Sequence, residues 1–159
     1  MRQGASLRIA EDVVPVLRRA RLLKDVSEET IERIAKHARD QSVDEGEVLY
    51  SVGDPARSAY VVVSGRLRFI LGADGRPAAS GSIIPAGDVL GWAALLVNQP
   101  RRIATVVALE PCRLLVIDGK ALLRALEDDP RSGYLVMQRL AKMITQSFLE
   151  QSALLSDAT

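Results

Sequence analysis

Pro85-Ala86-Gly87-Asp88-Val89-Leu90-Gly91-Trp92-Ala93-Ala94-Leu95-Leu96, followed by Asn98-Gln99-Pro100-Arg101-Arg102-Ile103-Ala104-Thr105-Val106, is the stretch on which the reading turns. It holds two glycines, a short run of small residues and a pair of arginines. Gly91, Ala93 and Ala94 let backbone N–H groups come close to an anion. A helical turn over 92–96 aims further unsatisfied N–H donors at the same point. Arg102 closes such a site with a charge-assisted fork to anionic oxygens. On spacing alone, a surface loop carrying an arginine for solubility fits equally well. Arg101 is the rival for the fork, since one of the pair faces solvent if 101–106 is a strand.

The surroundings read as a compact β unit between helices. Eight of the eleven glycines lie between Gly46 and Gly91, punctuating short runs of valine, leucine and isoleucine. Strands are expected at 47–50, 60–63, 66–71, 80–84, 103–109 and 112–118, with Ala73-Asp74-Gly75-Arg76 as a hairpin turn. Helices are expected at 6–20, despite Pro15, and at 28–38 behind Ser27 as N-cap. Two more are expected at Lys120–Glu127 and at 132–152. The last carries two apolar stripes, Val136, Leu140 and Met143 on one side and Met137, Ala141, Ile144 and Phe148 on the other. One stripe covers the sheet. The second calls for a partner, and a second copy of the helix supplies it, giving a homodimer. Burial of both stripes within one chain is the alternative.

Composition bounds the function. The chain has 159 residues, 48% apolar and 26% charged, and net charge +1, which suits one soluble domain. Near-neutral charge gives no reason to expect a DNA or membrane partner. A single cysteine, Cys112, excludes an intramolecular disulfide and a thiolate cluster, and reads as a small buried hydrophobe. A single histidine, His37, reads as a surface group and excludes a multi-imidazole metal site. No run reaches the roughly 18 apolar residues of a membrane span. No apolar leader core stands at the N-terminus, so a cytoplasmic location is expected. No nucleophile–base pair is apparent, and no enzyme activity is expected.

Several motifs in order carry a family resemblance. Gly46-Glu47-Val48-Leu49-Tyr50 with Gly53-Asp54 forms a strand and turn, preceded by Leu22-Leu23-Lys24-Asp25-Val26-Ser27. Tyr60-Val61-Val62-Val63-Ser64-Gly65 follows, then Gly87-Asp88 with Gly91, then Arg102-Ile103-Ala104-Thr105. Together, over about Leu22 to Gln151, they resemble the cyclic-nucleotide-binding domain family, which includes the catabolite activator protein and the protein kinase A regulatory subunits. The resemblance implies a jelly-roll β-barrel (a double-stranded β-helix) with N-terminal helices and a long C-terminal helix. It implies a division into an N-terminal helical segment at 1–26, the binding domain at 27–152 and a short tail at 153–159.

The implied activity is small-molecule sensing, with a cyclic nucleotide such as cyclic AMP or cyclic GMP as ligand and no bound cofactor. Arg102 is the implied phosphate contact, helped by the backbone N–H groups of Ile103 and Ala104, with Gly91, Trp92 and Ala93 forming the cassette. Met143, Ile144 and Ser147 of the last helix are implied to lie over the base, and an effector protein to read that helix. Two departures stand out. Trp92 occupies the place of the glutamate in the family's usual Phe-Gly-Glu cassette, which holds the ribose 2′-hydroxyl. Trp92 then either stacks on a different ligand or plugs the pocket of a structural module. The chain also shows no helix-turn-helix segment after the long helix, so DNA binding is not expected.

Overall fold

The structure, a computed structural model, describes residues 12–70, 83–96 and 100–157, without the side chains of 147, 148 and 150–157. The hairpin turn expected at 73–76 and the start of the first expected helix lie outside the described residues. The helix α1 spans Val13–Arg19, with Pro15 in its first turn, where the backbone N–H has no intrahelical partner to lose. A 3-10 turn at Arg21–Leu23 leads to α2, Glu28–Ala35, where Ser27 accepts a side-chain bond from the N–H of Thr30.

Eight strands follow: β1 Ala38–Val43, β2 Val48–Tyr50, β3 Ser58–Ser64, β4 Leu67–Ile70, β5 Ile83–Ile84, β6 Val89–Leu90, β7 Thr105–Ala108 and β8 Cys112–Asp118. They form two antiparallel four-stranded sheets in the orders β1-β8-β3-β6 and β2-β7-β4-β5. Two helices close the chain, α3 Gly119–Asp128 and α4 Pro130–Asp157. This is the expected jelly-roll sandwich with flanking helices.

The pleat of the first sheet creates two cores. Ala59 and Val61 of β3 with Leu115 and Ile117 of β8 face the helices, where they pack with Leu17, Leu22, Ile31, Ile34, Leu122, Val136 and Leu140. Tyr60 and Val62 with Cys112, Leu114 and Val116 face the second sheet, packing with Leu67, Leu90 and Val106. Both faces of β3 and β8 are covered, so their sequences run apolar without alternation.

Several elements differ from the sequence reading, among them the short strand β6, which was not foreseen. The helix expected to reach residue 38 stops at Ala35, and β1 begins at Ala38 with no strand foreseen there. Only Val43 of β1 is buried, so no apolar pattern marks the strand. Its pairing with β8 and the Arg113 Nε bond to Asp40 Oδ1 (3.0 Å) hold it instead. The last helix starts at Pro130, a residue preorganised for a first helical position, and continues to Asp157 rather than ending at 152.

Candidate ligand site

The site grows from a chain reversal. Strand β6 ends at Leu90; Gly91 follows with a φ of 74°, in the left-handed region, and leads directly into a 3-10 turn at Trp92–Leu95. A Cβ at Gly91 would stand 2.7 Å from Nη1 of Arg102 and 3.0 Å from the Ser58 carbonyl. Glycine is thus required twice over, by its dihedral and by its neighbours.

The approach of residues 100–102 to the turn after β2 sets the direction of the two arginines. The N–H of Gly53 donates to the Arg102 carbonyl (2.8 Å), and the N–H of Arg102 donates to the Asp54 carbonyl (2.8 Å). This turns Arg102 inward and Arg101 outward, where Arg101 donates to the Gly53 carbonyl (3.1 Å). Arg102 is only 5% exposed, and it is the one charged side chain in the buried set of the described residues. Its Nη1 donates to the carbonyl of Gly91 (3.1 Å) and its Nη2 to that of Ser58 (2.7 Å). The guanidinium carbon stands 4.2 Å from the Tyr50 ring centre and 5.5 Å from that of Tyr60. These rings lie 6.0 Å apart and are inclined by 29°.

Electrostatically the group is incomplete. No carboxylate among the described residues pairs with Arg102, and its Nε is buried without an acceptor. The N–H groups of Ile103 and Ala104 likewise meet no acceptor among the described residues. The nearby carboxylates are committed elsewhere. Asp54 accepts from the Ser51 N–H (3.0 Å), Asp88 pairs with Arg21, and Asp118 caps α3 through the Ala121 N–H (2.9 Å). Burial pushes the Tyr50 phenol up to about 12, against the opposing pull of the Arg102 charge. The cation is held by carbonyl dipoles, with no counter-charge among the described residues to offset its desolvation.

The structure brings together only part of the expected set. Gly91 and Arg102 touch. Ala104 is buried, and Ala93 is buried with Ala56 and Ala94 in a small cluster. The Ile103 side chain is 59% exposed, leaving its backbone as its contribution. Trp92 is half-buried against the helix-side core, and so is Met143. The tryptophan is thus packed with the helix-side core and is not among the residues of the inter-sheet core. In this conformation α4 packs on α3 and on the 3-10 turn at Arg21–Leu23. Ile144 is exposed, and the Ser147 side chain lies outside the described residues. Tyr50, Tyr60 and Ser58 were missed from sequence. Inward alternation with Val62 was the available signal for Tyr60.

A helix-flanked, two-sheet barrel with one enclosed cation beside a glycine-started turn is the build of a regulatory sensor domain. The chain belongs to the cyclic nucleotide-binding domain family, whose sequence profile matches residues 40–129, more than half its length. These are sensor and regulatory domains that typically bind cyclic nucleotides. No curated protein sequence matches the chain.

Several solved structures share the fold. One is the sensor domain of the transcriptional regulator DNR from Pseudomonas aeruginosa, with TM-score 0.70 and 21% identity over 86% of this chain and 91% of that one. Another is the catabolite activator protein of Thermus thermophilus, with TM-score 0.68 and 22% identity over 84% of this chain and 62% of that one. A third is the regulatory domain of Toxoplasma gondii PKA with cAMP, with TM-score 0.65 and 24% identity over 74% of this chain and 44% of that one. No helix among the described residues is long and apolar enough to cross a membrane.

Proposed function

We propose that this domain senses a cyclic nucleotide or a closely related phosphorylated ligand at Arg102 and reports its binding through α4. The carrying observation is the buried Arg102 guanidinium, with no counter-carboxylate and no acceptor for its Nε among the described residues. An anion there supplies the missing charge and accepts from Nε, with the free N–H groups of Ile103 and Ala104 as further donors. Arg102 is enclosed in this conformation, so binding requires the 91–96 turn or the 51–56 turn to give way. Gly91 directly precedes Trp92, which rests on the same core as Met143 of α4. Displacement of the turn by the ligand therefore presses on the packing of α4, favouring a second position of that helix. Met143, Ile144 and Ser147 then become available to cover the base.

A homodimer through α4 accompanies this reading. Val136 and Leu140 are buried within the chain, whereas Met137, Ala141 and Ile144 are exposed on one stripe, and Tyr134 at 70% exposure extends it. Their 3–4–3 spacing matches a coiled-coil seam. An effector protein reading the α4 pair completes the scheme, with no catalytic step and no DNA contact.

A second reading has its own observation: both rings and both carbonyls around Arg102 are engaged without any ligand. Arg102 is then a structural staple in an interaction module. Calorimetric titration with cyclic AMP and cyclic GMP separates the two. Sensing predicts saturable binding that Arg102→Lys weakens at least tenfold, because lysine loses the planar fork. Absence of binding, or binding indifferent to the substitution, favours the staple.

A further inference from the structure

We infer that the outer face of the second sheet is a docking surface for a partner-protein segment that carries one carboxylate among apolar side chains, with Arg68 receiving the carboxylate. This face lies away from Arg102, and the inference stands or falls independently of ligand sensing there.

The strand register sets four residues in one row. Val48 of β2 lies opposite Val107 of β7, Val107 opposite Arg68 of β4, and Arg68 opposite Ile83 of β5. Residues opposite each other in a ladder share a face. Their chain neighbours Leu67, Ile84, Val106 and Ala108 are buried in the inter-sheet core, so the row points outward. Ile70 and Thr105, paired two residues further on, lie beside it on the same side. The face is thus β-branched apart from Arg68. Val48 is 53% exposed and Ile83 46%. Strands spaced about 4.8 Å apart make the row about 14 Å wide, which fits one helix or strand of a partner.

Arg68 sets the chemistry of the occupant. It is the one charged residue in the row. Its Nε is shut off from solvent without an acceptor, and no carboxylate among the described residues pairs with its guanidinium. Arg66, two residues earlier, is satisfied instead, donating to Glu110 through Nε (3.3 Å) and Nη2 (3.1 Å). The Nε of Arg68 already bears its desolvation cost, so an incoming carboxylate adds a charge-assisted bond where none is made. The valines and isoleucines around it supply apolar contact, and the ion pair fixes the orientation of the segment. The same charge disfavours a second copy as occupant. Two copies meeting through this face about a twofold axis bring two unpaired Arg68 side chains into one apolar contact.

The test is random-peptide phage display against the full chain, followed by fluorescence anisotropy with the selected peptides. The selected peptides are expected to carry an Asp or Glu flanked by Val, Ile or Leu. Arg68→Glu should weaken their binding at least about tenfold, with Arg68→Gln, the milder change, acting in the same direction. Replacing the peptide's acid by its amide should give a similar loss. Arg124→Glu, the same charge change on the exposed side of α3, should leave binding as it was. Thermal melts by circular dichroism confirm that the variants are folded. A selection that enriches no peptide overturns the inference, as do enriched peptides without an acid and binding indifferent to both Arg68 variants. Self-association of the Met137→Glu/Ile144→Glu chain that Ile83→Asp abolishes gives the face to a second copy and also overturns it.

Discussion

The carbonyl oxygen of Gly91 accepts a 3.1 Å hydrogen bond from Nη1 of Arg102, and a Cβ on Gly91 would lie 2.7 Å from the same nitrogen. The turn and the arginine are thus one unit, and each constrains what the other can be. Gly91→Ala should destabilise the protein by about 2 kcal/mol or more, from left-handed strain plus a clash. Gly46→Ala is the control. Its φ of 82° carries similar strain, but nothing lies within 4 Å of the added methyl. Its cost should stay near 1 kcal/mol. Urea unfolding of both variants checks the difference.

Arg102→Ala should lower stability by about 2–4 kcal/mol. It orphans the Gly91 and Ser58 carbonyls, each worth roughly 1–3 kcal/mol when buried and unsatisfied. Equilibrium unfolding measures this without any ligand.

Asp129 ties the start of α4 to α2. It accepts from Ser27 Oγ (2.7 Å), Thr30 Oγ1 (2.7 Å) and the Ser132 N–H (3.3 Å). The bonds from Ser132, Ser27 and Thr30 hold its carboxyl well below the usual range. A depressed carboxyl stabilises the fold above the unfolded-state value of about 3.9 and loses that contribution as pH falls further. The unfolding midpoint should therefore drop below about pH 4, and Asp129→Asn should flatten that limb. Thermal melts across pH 2–6 report it.

Tyr50 acts at the other end of the scale. Its phenol ionises near 12 when folded and at 10.0 by its ordinary value, so the folded state favours the protonated form. Stability should be intact below pH 10 and decline between pH 10 and 12, with Tyr50→Phe reducing the decline. Alkaline melts followed by circular dichroism show whether it does.

The exposed stripe of α4 predicts a dimer in solution. Met137→Glu combined with Ile144→Glu should convert it to a folded monomer in sedimentation velocity. A wild-type chain that sediments as a monomer at all concentrations removes the seam.

Much of this architecture is legible in the sequence, for physical reasons that vary by element. Strands β3 and β8 announce themselves because both faces are buried, leaving unbroken apolar runs. Strand β1 is silent, because an edge strand with one buried residue is held by backbone pairing and the Asp40–Arg113 bond. The choice of Arg102 over Arg101 as the inward side chain follows from the motif register, and the structure turns the pair that way. The direction of Trp92 is not legible, since a tryptophan after a left-handed glycine can turn to either side of the sheet. Tyr50 and Tyr60 are visible only as strand residues. A ring that packs on a core and a ring that stacks on a cation leave the same letter.

The central claim is that the buried guanidinium of Arg102, with its unpartnered Nε, is the receptor for an anion. The most direct measurement is the ¹⁵N–¹H resonance of Arg102 Nε during titration with cyclic AMP, assigned by its loss in Arg102→Lys. A saturable downfield shift of the Nε–H is predicted, because that donor has no acceptor among the described residues. A resonance that stays fixed throughout the titration contradicts the account.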